Sequence, residues 1–303
     1  MEAVRSIKSA AAASPVNSSS NLVKEELLVR VDDDYPIGVT HFPGGDTVLL
    51  ISAAMAVQQS FYHPIARYFQ EIGYSVVTFD YRGLGTSAPA SLRGFTATIG
   101  DWALRDQQGM MSWIQTELKP RRFFMLGHSL GGKLAGLTRA QGVDAMACLC
   151  TLSGYWRLQP AWEPYKVYFH TSVTFPLTCF LFGYMPWSRL AKGCDLPRGA
   201  ALQWARWCRH PDYLFSDPVL PHHRFAEFSA PVLACSVSDD AWSTPRAVKA
   251  LMEHYPKVQF RHLTPQEFGL NKLGHFGFFR PESKSAWPFL RSWFEDAHQN
   301  NSC

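Results

Sequence analysis

At 303 residues, with 47% hydrophobic, 14% aromatic and 18% charged side chains, the chain can fill the core of one large α/β domain. A formal net charge of +4, with Lys and Arg scattered and no basic stripe interleaved with aromatics, argues against a nucleic-acid partner. The seven cysteines include no C-x-x-C pair, and Cys148 and Cys150 lie within an apolar strand-like run. Reduced, buried thiols are therefore expected, and no metal site.

The opening "MEAVRSIKSAAAASPVNSSS" is too weakly hydrophobic for a signal peptide. Residues 1–22 are read as a disordered tail, with an organelle transit segment as the alternative; a cytoplasmic location is expected. "KEELLVRV" and "PIGVTHF" alternate apolar and polar residues around "DDDYP", the pattern of an antiparallel pair at a sheet edge. "TVLLISAA" is a continuous apolar run of the kind buried on both faces. A helical stripe through "HPIARYFQEIGY" leads to a second buried strand, "SVVTFDYRGLGTS", that ends at Asp80 in a glycine-rich turn. Next come a helix over "DWALRDQQGMMSWIQTEL", strand "RFFMLGH", helix "LGGKLAGLTRAQ" and strand "AMACLCTLS". Four rounds of strand and helix predict a mostly parallel sheet flanked by helices on both faces.

That rhythm stops between residues 154 and 229, which hold five of the ten tryptophans, and resumes with strand "PVLACSV", helix "PRAVKALMEHY", strand "VQFRHLT" and a last amphipathic helix "AWPFLRSWFEDAHQ". The expected organisation is a core of residues 23–153 and 230–299 interrupted by a helical cap at 154–229. The longest apolar stretch, Val173 to Met185, is too short and broken to span a bilayer.

"MLGHSLGGKLAG" places Ser129 between a strand and a helix, with Gly127 and Gly131 two positions to either side. A serine on so sharp a turn is lifted above the sheet, and close packing there admits only the smallest neighbours. The Leu130 amide, opening the next helix, is placed to donate to an oxyanion. A serine nucleophile needs a base, and the base needs an orienting acid, in the order Ser, Asp or Glu, His on this kind of sheet. "PVLACSVSDDAWSTP" supplies Asp239 and Asp240, and "LNKLGHFGFFR" supplies His275 between glycines. His128, His222, His223, His254 and His262 occupy positions that suit structural roles. The second oxyanion donor is expected from the loop after "TVLLIS", at the Met55 amide. "FDYRGLGTS" lacks both phosphate-loop spacings, so nucleotide binding is rejected.

With "GHSLGG", "FDYRGLGTS" and "GHFGFFR" in this order, the chain from about Thr47 to Gln299 resembles the α/β-hydrolase superfamily of serine hydrolases. More narrowly, it is similar to a branch of predicted α/β-hydrolases marked by Ser238-Asp239-Asp240, "GHFGFFR" and a cap segment like "DLPRGAALQWARWCRHPDYL". The resemblance implies Ser129 as nucleophile, His275 as general base, and Met55 and Leu130 as oxyanion donors. Many relatives end the strand after the cap in a glycine three residues before the acid. Here Val237 holds the glycine's place, so Asp240 is the matching acid and Asp239 the alternative. Ala53-Ala54 replaces the common His-Gly of the oxyanion loop. The expected activity is cofactor-free cleavage of carboxylic esters or thioesters through an acyl-enzyme. Trp156, Trp162, Tyr165, Phe175, Phe180 and Trp187 are expected to line a pocket for a small, apolar acyl substrate. An acyltransferase, a peptidase or a non-catalytic binding module are the rival readings.

Overall fold

Apolar runs too continuous for a one-sided sheet build the centre of the molecule. All six residues of β3 (Thr47–Ser52) are buried, as are all five of β4 (Ser75–Phe79), all five of β6 (Ala145–Leu149) and all six of β9 (Val232–Val237). Strands shielded on both faces need helices above and below, which the alternating sequence supplies. The computed structural model describes residues 23–140, 142–190 and 193–301. The tail and transit-segment readings rest on residues 1–22, outside that range.

With β1 (Glu25–Arg30), β2 (Pro36–Phe42), β5 (Arg122–His128) and β10 (Val258–Leu263), these strands form an eight-stranded sheet in the order β1-β2-β4-β3-β5-β6-β9-β10. The expected edge hairpin is present: β1 pairs antiparallel with β2, and β2 antiparallel with β4. Every pairing from β4 to β10 is parallel. The carboxyl ends of β3, β5, β6 and β9 therefore open on one edge, where loops of such sheets carry chemistry.

The helix expected over "LGGKLAGLTRAQ" is shorter than its sequence suggests. It covers Leu130–Ala135, and tighter turns then take over, with the Thr138 hydroxyl donating to the Ala135 carbonyl at 2.7 Å. A hydroxyl that caps a carbonyl three residues back competes with helix continuation.

Between β6 and β9 the chain leaves the sheet. A continuous helical stretch over residues 163–182 leads into the two-residue strands β7 (Tyr184–Met185) and β8 (Leu196–Pro197) and the helix Arg198–Arg209. The stretch turns Val167, Thr171, Phe175 and Cys179, one every four residues, toward the protein. Among the described residues, no helix is long and apolar enough to cross a membrane.

Candidate active site

Ser129 caps β5 with φ 50° and ψ −102°, a backbone conformation that non-glycine residues rarely adopt. Packing holds it there. A Cβ on Gly127 would lie 2.4 Å from the Cα of Gly132, and one on Gly131 would lie 2.2 Å from the Ser52 carbonyl oxygen. Only glycine lets the helix Leu130–Ala135 settle this closely on β3 and β5. The Ser129 amide donates to the Leu149 carbonyl at 2.9 Å, tying the turn to β6.

The two adjacent aspartates after β9 do different work. His275 Nδ1 lies 2.6 Å from Oδ2 of buried Asp240. The same carboxylate accepts from the Ser243 hydroxyl at 2.5 Å and the Trp242 amide at 2.8 Å. Burial alone would raise its pKa, but the bonds from His275, Ser243 and Trp242 outweigh burial and hold the carboxyl well below its usual range. Asp239 is exposed and turns instead to the loop carrying His275, accepting from the Leu273 and Gly274 amides at 2.9 and 2.8 Å.

Cys150, Asp240 and His275 also bring potential metal-binding atoms within 4.8 Å of one another. Their donor chemistry fits an ion poorly. Burial and the neighbouring carboxylate push the Cys150 thiol far up, keeping it protonated, while His275, Ser243 and Trp242 already occupy Asp240.

Ser129 and His275 line one cavity of about 290 Å³. Met55 and Leu130 border it as well, and among the described residues neither of their amides has a protein acceptor. The Ala54 amide is committed to the Tyr62 hydroxyl at 2.9 Å. Leu152, Trp204, Trp242 and Phe276 give the cavity a mainly apolar wall.

Of the six aromatic residues expected in the pocket, Trp187 alone reaches the cavity. Phe175 is buried one layer behind, against Trp187 and Trp204, with ring centroids 5.8 and 5.4 Å away. Trp156 packs against Tyr168. Trp162, Tyr165 and Phe180 face solvent, because the inward positions at 167, 171, 175 and 179 leave them on the far side of the helical stretch.

Two groups escaped sequence reasoning. Lys133, one helical turn beyond Ser129, also lines the cavity. It is only 3% exposed, and its Nζ donates to the Leu152 carbonyl at 2.8 Å and the Tyr213 hydroxyl at 3.1 Å. Burial pushes its pKa down to about 7. The second group is the wholly buried Tyr62, which with buried His128, expected to be structural, joins the Ala54 amide to the His275 backbone. A Ser-to-Lys spacing of four within the quoted motif was a visible signal for Lys133; the sequence holds none for the Tyr62 contact.

This sheet order, with a serine turn on the central strand, is the α/β-hydrolase fold. The sequence pattern of the family described as alpha/beta hydrolase fold matches residues 46–172. The chain resembles an esterase of Exiguobacterium antarcticum (TM-score 0.58, 15% identity, covering 88% of this chain and 98% of that one) and an esterase of Pyrococcus furiosus (TM-score 0.61, 14% identity, 93% and 95%). It is also 28% identical over 129 residues to esterase FrsA of Klebsiella pneumoniae, a match covering 41% of this chain and 31% of the relative, so the shared segment spans about a third of that protein. What these likenesses share is the α/β-hydrolase fold.

Proposed function

We propose that the protein is a serine hydrolase that cleaves carboxylic esters or thioesters through an acyl-enzyme, with residues 154–229 serving as its cap. The observation that carries this reading is the 2.6 Å bond from His275 to buried Asp240 on the wall of the cavity that Ser129 also lines. An ionised Asp240 accepts the Nδ1 proton, which fixes the tautomer and leaves Nε2 of a neutral His275 with its lone pair free. That nitrogen takes the Ser129 proton as the oxygen attacks the carbonyl, and returns it to the leaving alcohol or thiol. The Met55 and Leu130 amides, with no acceptor among the described residues to compete, suit the developing oxyanion. The apolar wall favours an acyl group with little polarity near the ester. The esterase names of the relatives support an ester over a peptide bond.

The test is labelling of purified protein with a fluorophosphonate probe. Stoichiometric labelling of the natural chain, lost in Ser129→Ala and His275→Ala, is expected. A folded natural chain that takes up no probe, or labelling that survives Ser129→Ala, overturns the reading.

A further inference from the structure

The helical stretch over residues 163–182 hides one face and exposes another that is nearly as apolar. Trp162, Tyr165, Phe169, Val173, Leu177 and Phe180 follow one another at three- or four-residue intervals, and all are exposed, Trp162 at 76% and Phe180 at 77%. Twenty residues of helix extend about 30 Å, so this is a long apolar stripe and not a scatter of single side chains. Its second half, "FPLTCFLF", is apolar on all sides, a composition found where no side of a helix faces bulk water.

Charge identifies what covers it. Residues 156–210 contain seven Lys and Arg against two Asp and Glu, an excess that the +4 of the whole chain does not exceed. Exposed bases stand at both ends of the stripe. Arg157 lies over the Trp156 ring, which contacts Tyr168; Lys166, on the helix itself, is paired with Glu163 at 2.7 Å. At the other end, Arg189 lies over the Phe182 ring and Arg93 packs beside Gly183. A second copy of the chain, joined symmetrically through this stripe, would bring like-charged rims together. An anionic surface attracts them. The first 22 residues, rich in Ser and Ala, offer few large apolar side chains to cover the stripe.

We propose that this face docks the protein on an anionic lipid surface, with the helix lying along the interface and its aromatic side chains sunk to the acyl boundary. The binding is peripheral, since no described helix is long and apolar enough to span the bilayer. Phe175, on the opposite side of the same helix, packs on Trp187 of the cavity wall, so one layer of side chains separates the docking face from the candidate active site.

Co-sedimentation of the full chain with phosphatidylcholine vesicles, with and without phosphatidylserine, tests this. The natural chain is expected to bind the phosphatidylserine vesicles more tightly and to lose that preference in high salt. The double variant W162S/F180S is expected to bind both kinds about tenfold or more weakly. The variant R157Q/R189Q is expected to lose mainly the preference for phosphatidylserine. Both variants change exposed side chains away from the cavity and should melt with the natural chain. Vesicle binding requires no turnover, so its outcome is independent of the hydrolase reading. The proposal is overturned if the natural chain ignores both vesicle types, if W162S/F180S binds as well as the natural chain, or if the natural chain is a dimer that W162S/F180S converts to monomer.

Discussion

The buried ring of His128 is bonded through Nε2 to the backbone carbonyl of His275 at 2.8 Å. A carbonyl only accepts, so Nε2 carries a proton, and burial holds this histidine well below its usual pKa, so Nδ1 is bare. The Tyr62 hydroxyl, 2.8 Å from Nδ1, must then donate to it, while itself accepting from the Ala54 amide. Four groups in a row thus link the residue before Met55 to the loop that carries His275. Tyr62→Phe keeps the ring contacts with Phe61 and Phe279 but strands two buried polar atoms. The expected cost is about 1 to 3 kcal/mol in urea unfolding, together with slower fluorophosphonate labelling. Unchanged stability and labelling would mean that this chain of bonds positions nothing.

Neighbouring carboxylates should respond differently to the same chemical change. Asp240→Asn puts a donor where His275 needs an acceptor and stabilises the wrong tautomer, so a loss of about 10⁴-fold in turnover, the scale for a triad acid, is expected on any ester that the natural chain hydrolyses. Asp239→Asn keeps a carbonyl oxygen toward the Leu273 and Gly274 amides and should cost far less, while Asp239→Ala frees both amides and should loosen the His275 loop. The reverse ranking of Asp239→Asn and Asp240→Asn would transfer the acid's role to Asp239.

The residues alone left these two aspartates open, and only the family resemblance ranked Asp240 ahead of Asp239, because both sit on one turn just past β9, where a shift by a single position exchanges them. The sequence resolved the sheet well for the opposite reason: runs such as "TVLLIS" are buried on both faces and read the same whichever side faces which helix. Glycines also spoke clearly, since the demand at Gly127 and Gly131 is local to one turn. The aromatic residues of 154–229 misled because composition shows that a helix is apolar without showing which side meets the protein. Phe175 and Phe180 look alike in the sequence, yet one is buried behind the cavity wall and the other faces solvent. Lys133 was passed over because a lysine in a helix is ordinarily solvated, and its burial depends on Leu152 and Tyr213, 19 and 80 residues away.

Lys133 gives the clearest dependence on pH. Its pKa is lowered by burial from 10.5 to about 7 in the folded chain, and it returns to the ordinary value on unfolding. Between those values the unfolded chain holds a proton that the folded chain does not, so this residue makes stability rise with pH across that window. Below about pH 7 both states are protonated and its full cost is present; above about pH 10.5 the cost vanishes. Lys133→Met removes the titration, while the loss of the bonds to Leu152 and Tyr213 adds a cost that hardly depends on pH. The difference in melting temperature, variant minus natural, should therefore be most favourable to the variant near pH 6 and fall steadily toward pH 10. Thermal melts of both proteins across that range measure it. A difference that stays flat would show that Lys133 keeps a normal pKa, which requires either an anion bound beside it or water reaching its ammonium group.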